Sequence, residues 1–296
     1  MSGAGWRIGL LAAASIFASF GAGAISAAES ATALQAQYTR LSAPLQKNPF
    51  GRPLVLYSVE TAEGLQGDIY AVVAYPFATV SAGLKSPSNW CQVMILHINT
   101  KYCQAIAQPT GTMLRVYIGK KTPQTLVDAA RVDFIYQETA ATPNYFATTL
   151  NAKTGPLGTR DYLIQMEVVE LSKTKSFLHL TYAYGVGFAG RVAMQAYLAT
   201  IGAGKVGFTL VDPNDSGELD LVTGVRGVVE RNTMRYYLAI DSFLASQSEP
   251  PSAQLENRLQ AWFTAVERYP RQLHELDRPA YLEMKRAEVI RQQSTP

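Results

Sequence analysis

Charge is scarce in this chain: only 17% of its 296 residues are Asp, Glu, Lys or Arg. The 26 basic and 23 acidic residues leave a formal net charge of +3, with no long run of either sign. A nucleic-acid binder carries a basic stripe with interleaved aromatics, and none is present. Histidine is rare, with His97, His179 and His274 alone, and the two cysteines, Cys91 and Cys103, form no CxxC and no Cys/His cluster. A zinc or thiol-redox site of the usual spacing is therefore not expected, nor is any cofactor. There is no GxSxG elbow, no HExxH and no Walker loop. Glycines 202 and 204 in IGAGKVGF precede a predicted strand, the wrong context for phosphate binding. The stretch from Asp212 to Glu218 echoes a calcium loop, but its twelfth position is Thr223 where a bidentate Glu is required, so it reads as a turn. What the chain has in quantity is apolar side chains: 48% of residues are hydrophobic and 10% aromatic, enough for a sizeable folded core.

The first segment reads as an address. Arg7 is followed by the apolar run Ile8 to Phe20 and then by the small residues GAGAISAA. That order is the pattern of a secretory signal peptide, assigned here to residues 1–28. Both Ala22-Gly23-Ala24 and Ser26-Ala27-Ala28 satisfy the peptidase; cleavage after Ala28 is the expectation. The alternative is an uncleaved anchor, although the apolar run is shorter than the roughly 20 residues a spanning helix needs. No cysteine follows the run, which argues against a lipoprotein anchor. The expected location is the periplasm or the exterior. An oxidising compartment favours a Cys91–Cys103 disulfide, provided Cys91 lies at a helix end beside the strand of Cys103. Two reduced buried thiols are the alternative.

Apolar periodicity organises the rest. Ser30 to Lys47 has Leu34, Tyr38, Leu41 and Leu45 at helical spacing, with Ser30 as its predicted cap and Pro44 as an early stop. LVLYSVE from Leu54 and GDIYAVVAYPF from Gly67 read as strands. Ala78–Lys85 and Ser86–Cys91 read as short helices carrying Trp90. Further strands are predicted over Val93–Ile98, Lys101–Ile106, Met113–Lys120, Arg131–Glu138, Asn144–Asn151, Tyr162–Leu171, Ser176–Tyr184 and Lys205–Leu210. Turn clusters between them and little intervening helix predict an antiparallel sheet. Helices are predicted over Arg191–Thr200, Val228–Ser246, Ala253–Tyr269 and Arg278–Gln292.

The order of these elements, with GDIYAVVAYPFATVSAGLKSPSNWCQ near the start and KVGFTLV followed by GVVERNTMRYYLAIDSFL near the end, resembles the START-related (SRPBCC) lipid-transfer superfamily, as an exported bacterial member. The likeness covers about Gly67 to Ser246. It implies an α+β helix-grip fold: a curved antiparallel sheet gripping a long C-terminal helix, with extra N- and C-terminal helices. The implied organisation is a signal peptide at 1–28, an N-terminal helix and strand extension at 29–63, the helix-grip domain at 64–248 and a C-terminal helical extension at 249–296. Members of the superfamily hold sterols, phospholipids or other hydrophobic ligands between sheet and helix, and some relatives are enzymes such as aromatase/cyclases.

Tyr162, Ile164, Met166 and Val168 alternate onto one face of a strand. In FLHLTYAY, Phe177, His179, Thr181 and Ala183 share one face, and Leu178, Leu180, Tyr182 and Tyr184 the other. The residues expected to meet a ligand are Tyr162, Ile164, Met166, Phe177 and His179 from the sheet with Met234, Tyr237 and Asp241 from the long helix. A filled core explains the same pattern. His97 and His179 read first as hydrogen-bonded core histidines, and His274 as a surface group. The cluster Arg226, Glu230, Arg231 and Arg235 sets two cations one helical turn apart, a repulsion for a carboxylate such as Asp161 or Glu167, or for an anionic head group, to relieve. The expectation is a non-catalytic protein whose partner is a lipid or other hydrophobic small molecule, in transient contact with a membrane or an envelope protein. The alternatives are an envelope assembly partner with a filled core and, third, a cyclase-type enzyme.

Overall fold

The structure is a computed structural model and describes residues 26–199, 204–211 and 220–294. The apolar run Ile8 to Phe20, Gly202 and the turn from Asp212 to Glu218 lie outside the described residues. The N-terminal helical stretch divides at Leu41 into α1 (Ala27–Arg40) and α2 (Ser42–Gln46), and Pro44 sits inside the second piece. The cap is Ser26 rather than Ser30: its hydroxyl accepts from Glu29 N, while the Glu29 carboxylate accepts from Ser26 N. That reciprocal pair satisfies two amides that have no partner within the helix.

Eight strands follow, with two short helices inserted after the second. They are β1 (Leu54–Glu60), β2 (Gly64–Val73), α3 (Phe77–Leu84), α4 (Pro87–Met94), β3 (Thr100–Gln108), β4 (Gly111–Ile118), β5 (Ala130–Ala141), β6 (Tyr145–Thr154), β7 (Thr159–Ser172) and β8 (Lys175–Val186). They form one curved antiparallel sheet in the order β1-β2-β8-β7-β6-β5-β4-β3. The strand assigned to an N-terminal extension is thus an edge strand of the main sheet. The predicted strand Val93–Ile98 does not form. Val93 and Met94 complete α4, and Ile95 to Asn99 make the turns that lead into β3, in which the Ile95, Leu96 and His97 amides donate to the Cys91, Val93 and Met94 carbonyls. Cys91 on α4 and Cys103 on β3 are joined by a disulfide, with Cα atoms 5.1 Å apart.

After β8 come α5 (Phe188–Ala199), α6 (Gly224–Ala245), α7 (Pro251–Val266), α8 (Pro270–Leu273) and α9 (Arg278–Ser294). The predicted strand Lys205–Leu210 is absent as a strand; only Leu210 makes a bridge, to Leu221. Helix α6 lies across the inner face of the sheet, over β2 and its neighbours. It is apolar on two sides because it is covered on both, by the sheet below and by α4 and α7 above. The outer face carries a second, smaller core in which Leu34, Leu41 and Leu45 of the N-terminal helices pack against Val55, Val169 and Phe177.

Candidate functional site

Strand pairing decides which predicted ligand residues meet. In β6, β7 and β8 the register sets Met166 opposite Thr148 and Leu180, and Ile164 opposite Leu150 and Tyr182, and directly opposed residues share a face. Tyr162, Ile164 and Met166 therefore point inward, where Met234 of α6 joins them in the main core. Ile164, Met166 and Met234 are fully buried in that core. Aromatic rings occupy much of it. Tyr162, Tyr182, Tyr184 and Tyr236 form a chain with centroids 5.2 to 5.5 Å apart, and the Tyr162 hydroxyl reaches Thr159 Oγ1 at 2.8 Å. The helix lies close on the sheet at Gly67, where a methyl group would overlap the Thr233 hydroxyl. That hydroxyl is held by the Val229 carbonyl at 2.8 Å and cannot swing aside freely.

Phe177 and His179 are not part of this set. They point to the outer face, opposite Val169 and Glu167, and the pleat that turns Met166 inward turns them out. Phe177 joins the core beneath α1. His179 stands between two carboxylates: Nε2 is 2.9 Å from Asp68 Oδ1 and Nδ1 is 3.0 Å from Glu167 Oε2. Thr181 donates to Asp68 and Tyr145 to Glu167, each at 2.7 Å, and the Tyr70 ring stacks on the imidazole at 4.1 Å. Burial alone would lower the His179 pKa, but the hydrogen bonds and charges of Asp68 and Glu167 outweigh it and carry it up to about 9. Burial opposes ionisation of the two acids as well, and the imidazolium overrides it, holding both below the ordinary carboxylate range.

Tyr237 is buried near the end of α6, with Arg52 over its ring at 5.1 Å. The same guanidinium pairs with Asp241 at 2.6 Å, and Asp241 is 21% exposed, so this carboxylate faces the rim of the core rather than its interior. The charged cluster on α6 is relieved by structure, though not by Asp161 or Glu167. Arg235 pairs with Glu275, between α8 and α9, at 2.7 Å. Asp161 pairs with its neighbour Arg160, and Glu167 with His179. Glu230 accepts from Phe208 N, Thr209 N and the hydroxyls of Thr209 and Ser58, which pins the 205–211 segment to the helix. Arg226 reaches the Ser58 hydroxyl at 2.9 Å, and Arg231 donates to the Val206 carbonyl. His97 lies in the turn after α4, not in a strand. Burial, with the cations Arg235 and Lys285 near it, depresses its pKa strongly, so it is a neutral imidazole beside Tyr236.

An opening exists elsewhere. Where α6 begins, a cleft of about 150 Å³ lies between the β1–β2 turn, the end of β8 and α5. Leu65, Val186, Met194 and Val225 give it apolar walls, and Glu60 and Arg191 stand at its rim. Arg191 also donates to the Ala62 carbonyl across the mouth. None of these residues was predicted, since they come from five separate elements and share no spacing in the chain.

A long helix across the inner face of an antiparallel sheet, with two short helices between the second and third strands, is one arrangement. The fold is a helix grip. The sequence matches no protein-family model and no curated protein. Among solved structures, it is similar to a conserved protein from Geobacillus kaustophilus, with 12% identity, 62% of this chain and 95% of that one covered, and a TM-score of 0.35. An aromatase/cyclase from Streptomyces sp. R1128 gives 12% identity, coverage of 72% and 96%, and a TM-score of 0.31. Human StAR-related lipid transfer protein 5 gives 9% identity, coverage of 58% and 89%, and a TM-score of 0.32. These are likenesses of arrangement.

Proposed function

We propose that the protein binds, without chemical change, the apolar end of a small molecule such as a lipid in the cleft at the open end of the grip, and that it does so after export to the periplasm. The observation that supports this is the cleft's composition: Leu65, Val186, Met194 and Val225 beside one acid, Glu60, and one base, Arg191, with Thr61 and Gly64 completing the lining. Ligand sites are mostly apolar with a few placed polar groups. Its volume sets the ligand's reach. An apolar cavity of roughly 150 Å³ admits a benzene-sized group, whereas whole drug-sized ligands occupy about 300 Å³ or more. The cleft therefore suits one ring or the tip of one acyl chain, with the remainder of the ligand outside. Burying such a group contributes about 25 cal/mol per Å² of apolar surface.

The test is native purification from the envelope fraction, organic extraction and mass spectrometry, with Val225→Trp as the control that fills the cleft. A stoichiometric lipid on the wild type and at least tenfold less on the folded variant is the expected result. Equal loading of both removes the cleft from the reading. Loading of neither, together with no uptake of a fluorescent fatty acid, favours a second reading: an envelope assembly partner. That reading draws on the tight packing behind Met166 and Tyr237, which leaves the interior of the grip occupied by the protein's own side chains.

A further inference from the structure

Arg258 lies on α7 and is only 3% exposed. Of the other buried cations, Lys101 and Lys285 share Glu288 and Arg235 has Glu275, while Arg231 donates to the Val206 carbonyl. Among the described residues no carboxylate pairs with Arg258. Its Nε donates to Ser246 Oγ at 3.0 Å, its Nη1 to Gln92 Oε1 at 2.6 Å, and its Nη2 reaches Gln254 Oε1 only at 3.5 Å. The guanidinium lies over the Phe243 ring, 4.7 Å from its centroid. A guanidinium offers five N–H donors in a rigid fork, and three neutral acceptors, one at the limit of bonding distance, do not use them. Removing a cation from water costs several kcal/mol unless an anion or a full set of hydrogen bonds replaces the solvent. Consistent with that imbalance, burial draws the Arg258 pKa down to about 10.

The geometry of the fork identifies what fits it. The Nη1–Nη2 edge is the edge a carboxylate grips with two parallel hydrogen bonds. Here two separate amide oxygens stand in those positions, from half-buried glutamines on α4 and α7. Each amide also donates on its other side, Gln92 to Asn89 Oδ1 at 3.3 Å and Gln254 to the Glu249 carbonyl at 3.1 Å. We propose that the Arg258 fork is a carboxylate-binding site, closed in this structure by the Gln92 and Gln254 amides, which an incoming carboxylate displaces. The carboxylate belongs either to a small organic acid or to an acidic side chain of another protein; the chemistry is shared. The site has no residue in common with the cleft and does not depend on the function proposed above.

The experiment follows the Arg258 Nε–Hε resonance of the full mature chain, assigned by its loss in Arg258→Lys. Sodium acetate is titrated against sodium chloride at matched ionic strength, then acetyl-Ala-Glu-Ala-amide, whose one carboxylate is the Glu side chain. A saturable shift with acetate and none with chloride is expected. Peptide binding tighter than acetate assigns the site to a protein's acidic side chain, and equal or weaker binding assigns it to a free acid. Gln92→Ala with Gln254→Ala keeps the arginine, removes the competing acceptors and should tighten acetate about tenfold. This double variant keeps the proposal testable if Arg258→Lys does not fold. No saturable response in wild type or in the double variant, or a response that chloride reproduces, overturns the proposal.

Discussion

His179 holds Asp68 and Glu167 on opposite ring nitrogens, and its contribution to stability has a sign that follows from its raised pKa. With a folded value of about 9, above the unfolded one, the contribution is complete below about pH 6.5 and is lost as pH rises through 9. The acids act in reverse. Their lowered pKa values contribute stability above the ordinary carboxylate range, lost as pH falls through the folded values. Stability should therefore peak near pH 5–6.5, and His179→Gln should cost about 2–3 kcal/mol there while flattening the alkaline decline. Urea midpoints from pH 5 to 10 check this; an unchanged alkaline slope in the variant removes His179 as its cause. Gly67 is the other decisive residue. A side chain there meets Thr233 Oγ1, so Gly67→Val should lift α6 from β2 and lower stability by about 1–3 kcal/mol. A melt of Gly67→Val against Gly67→Val with Thr233→Ala measures it, the second change restoring part of the loss.

At the scale of elements, α1 bears on the proposed export. Its capping box needs Ser26, which cleavage after Ala28 would remove and cleavage after Ala24 would keep. Ser26→Ala in the longer mature form should cost about 1 kcal/mol, and a form beginning at Glu29 should show a similar deficit. Denaturant unfolding of the three forms checks this, and N-terminal sequencing of the protein purified from cells shows which one is made. The apolar spacing of Leu34, Leu41 and Leu45 announced this helix, and alternation announced β7 and β8. Val93–Ile98 misled because a turn buried on all sides has the same apolar content as a central strand. Lys205–Leu210 misled because its pairing with 220–222 is reduced to a few bonds, Gly207 N to the Val222 carbonyl and Val222 N to the Thr209 carbonyl, while the Phe208 and Thr209 amides go to the Glu230 carboxylate.

At the scale of the molecule, the C-terminal helices are part of the core rather than attached to it. Trp262 and Tyr281 stack at 4.9 Å, and the Tyr281 hydroxyl reaches the Leu96 carbonyl. Lys285 of α9 donates to the His97 and Thr100 carbonyls and to Glu288, and Lys101 of β3 shares that acid. Burial pulls the Lys285 amine down to about 8 despite Glu288. Truncation after Asp277 would leave Lys101 without its anion and Trp262 uncovered. Loss of near-UV circular dichroism and of a cooperative melt is expected; a folded 29–277 fragment would show α9 to be dispensable.

The sequence by itself determined most of the elements, the runs Val93–Ile98 and Lys205–Leu210 excepted, because helical and strand periodicity are local and each segment carries its own apolar face. It also determined that Cys91 and Cys103 are the pair to bridge, since there are no others. Tertiary structure decided which faces meet. A one-residue step along β8 separates Leu178 and Leu180 inside from Phe177 and His179 outside, and only the pairing with β7 says which side holds α6. It decided the partners of the charged residues, since Glu275 reaches Arg235 across 40 positions that no local rule connects. It decided the cleft as well, because a space between five elements exists only once they have packed.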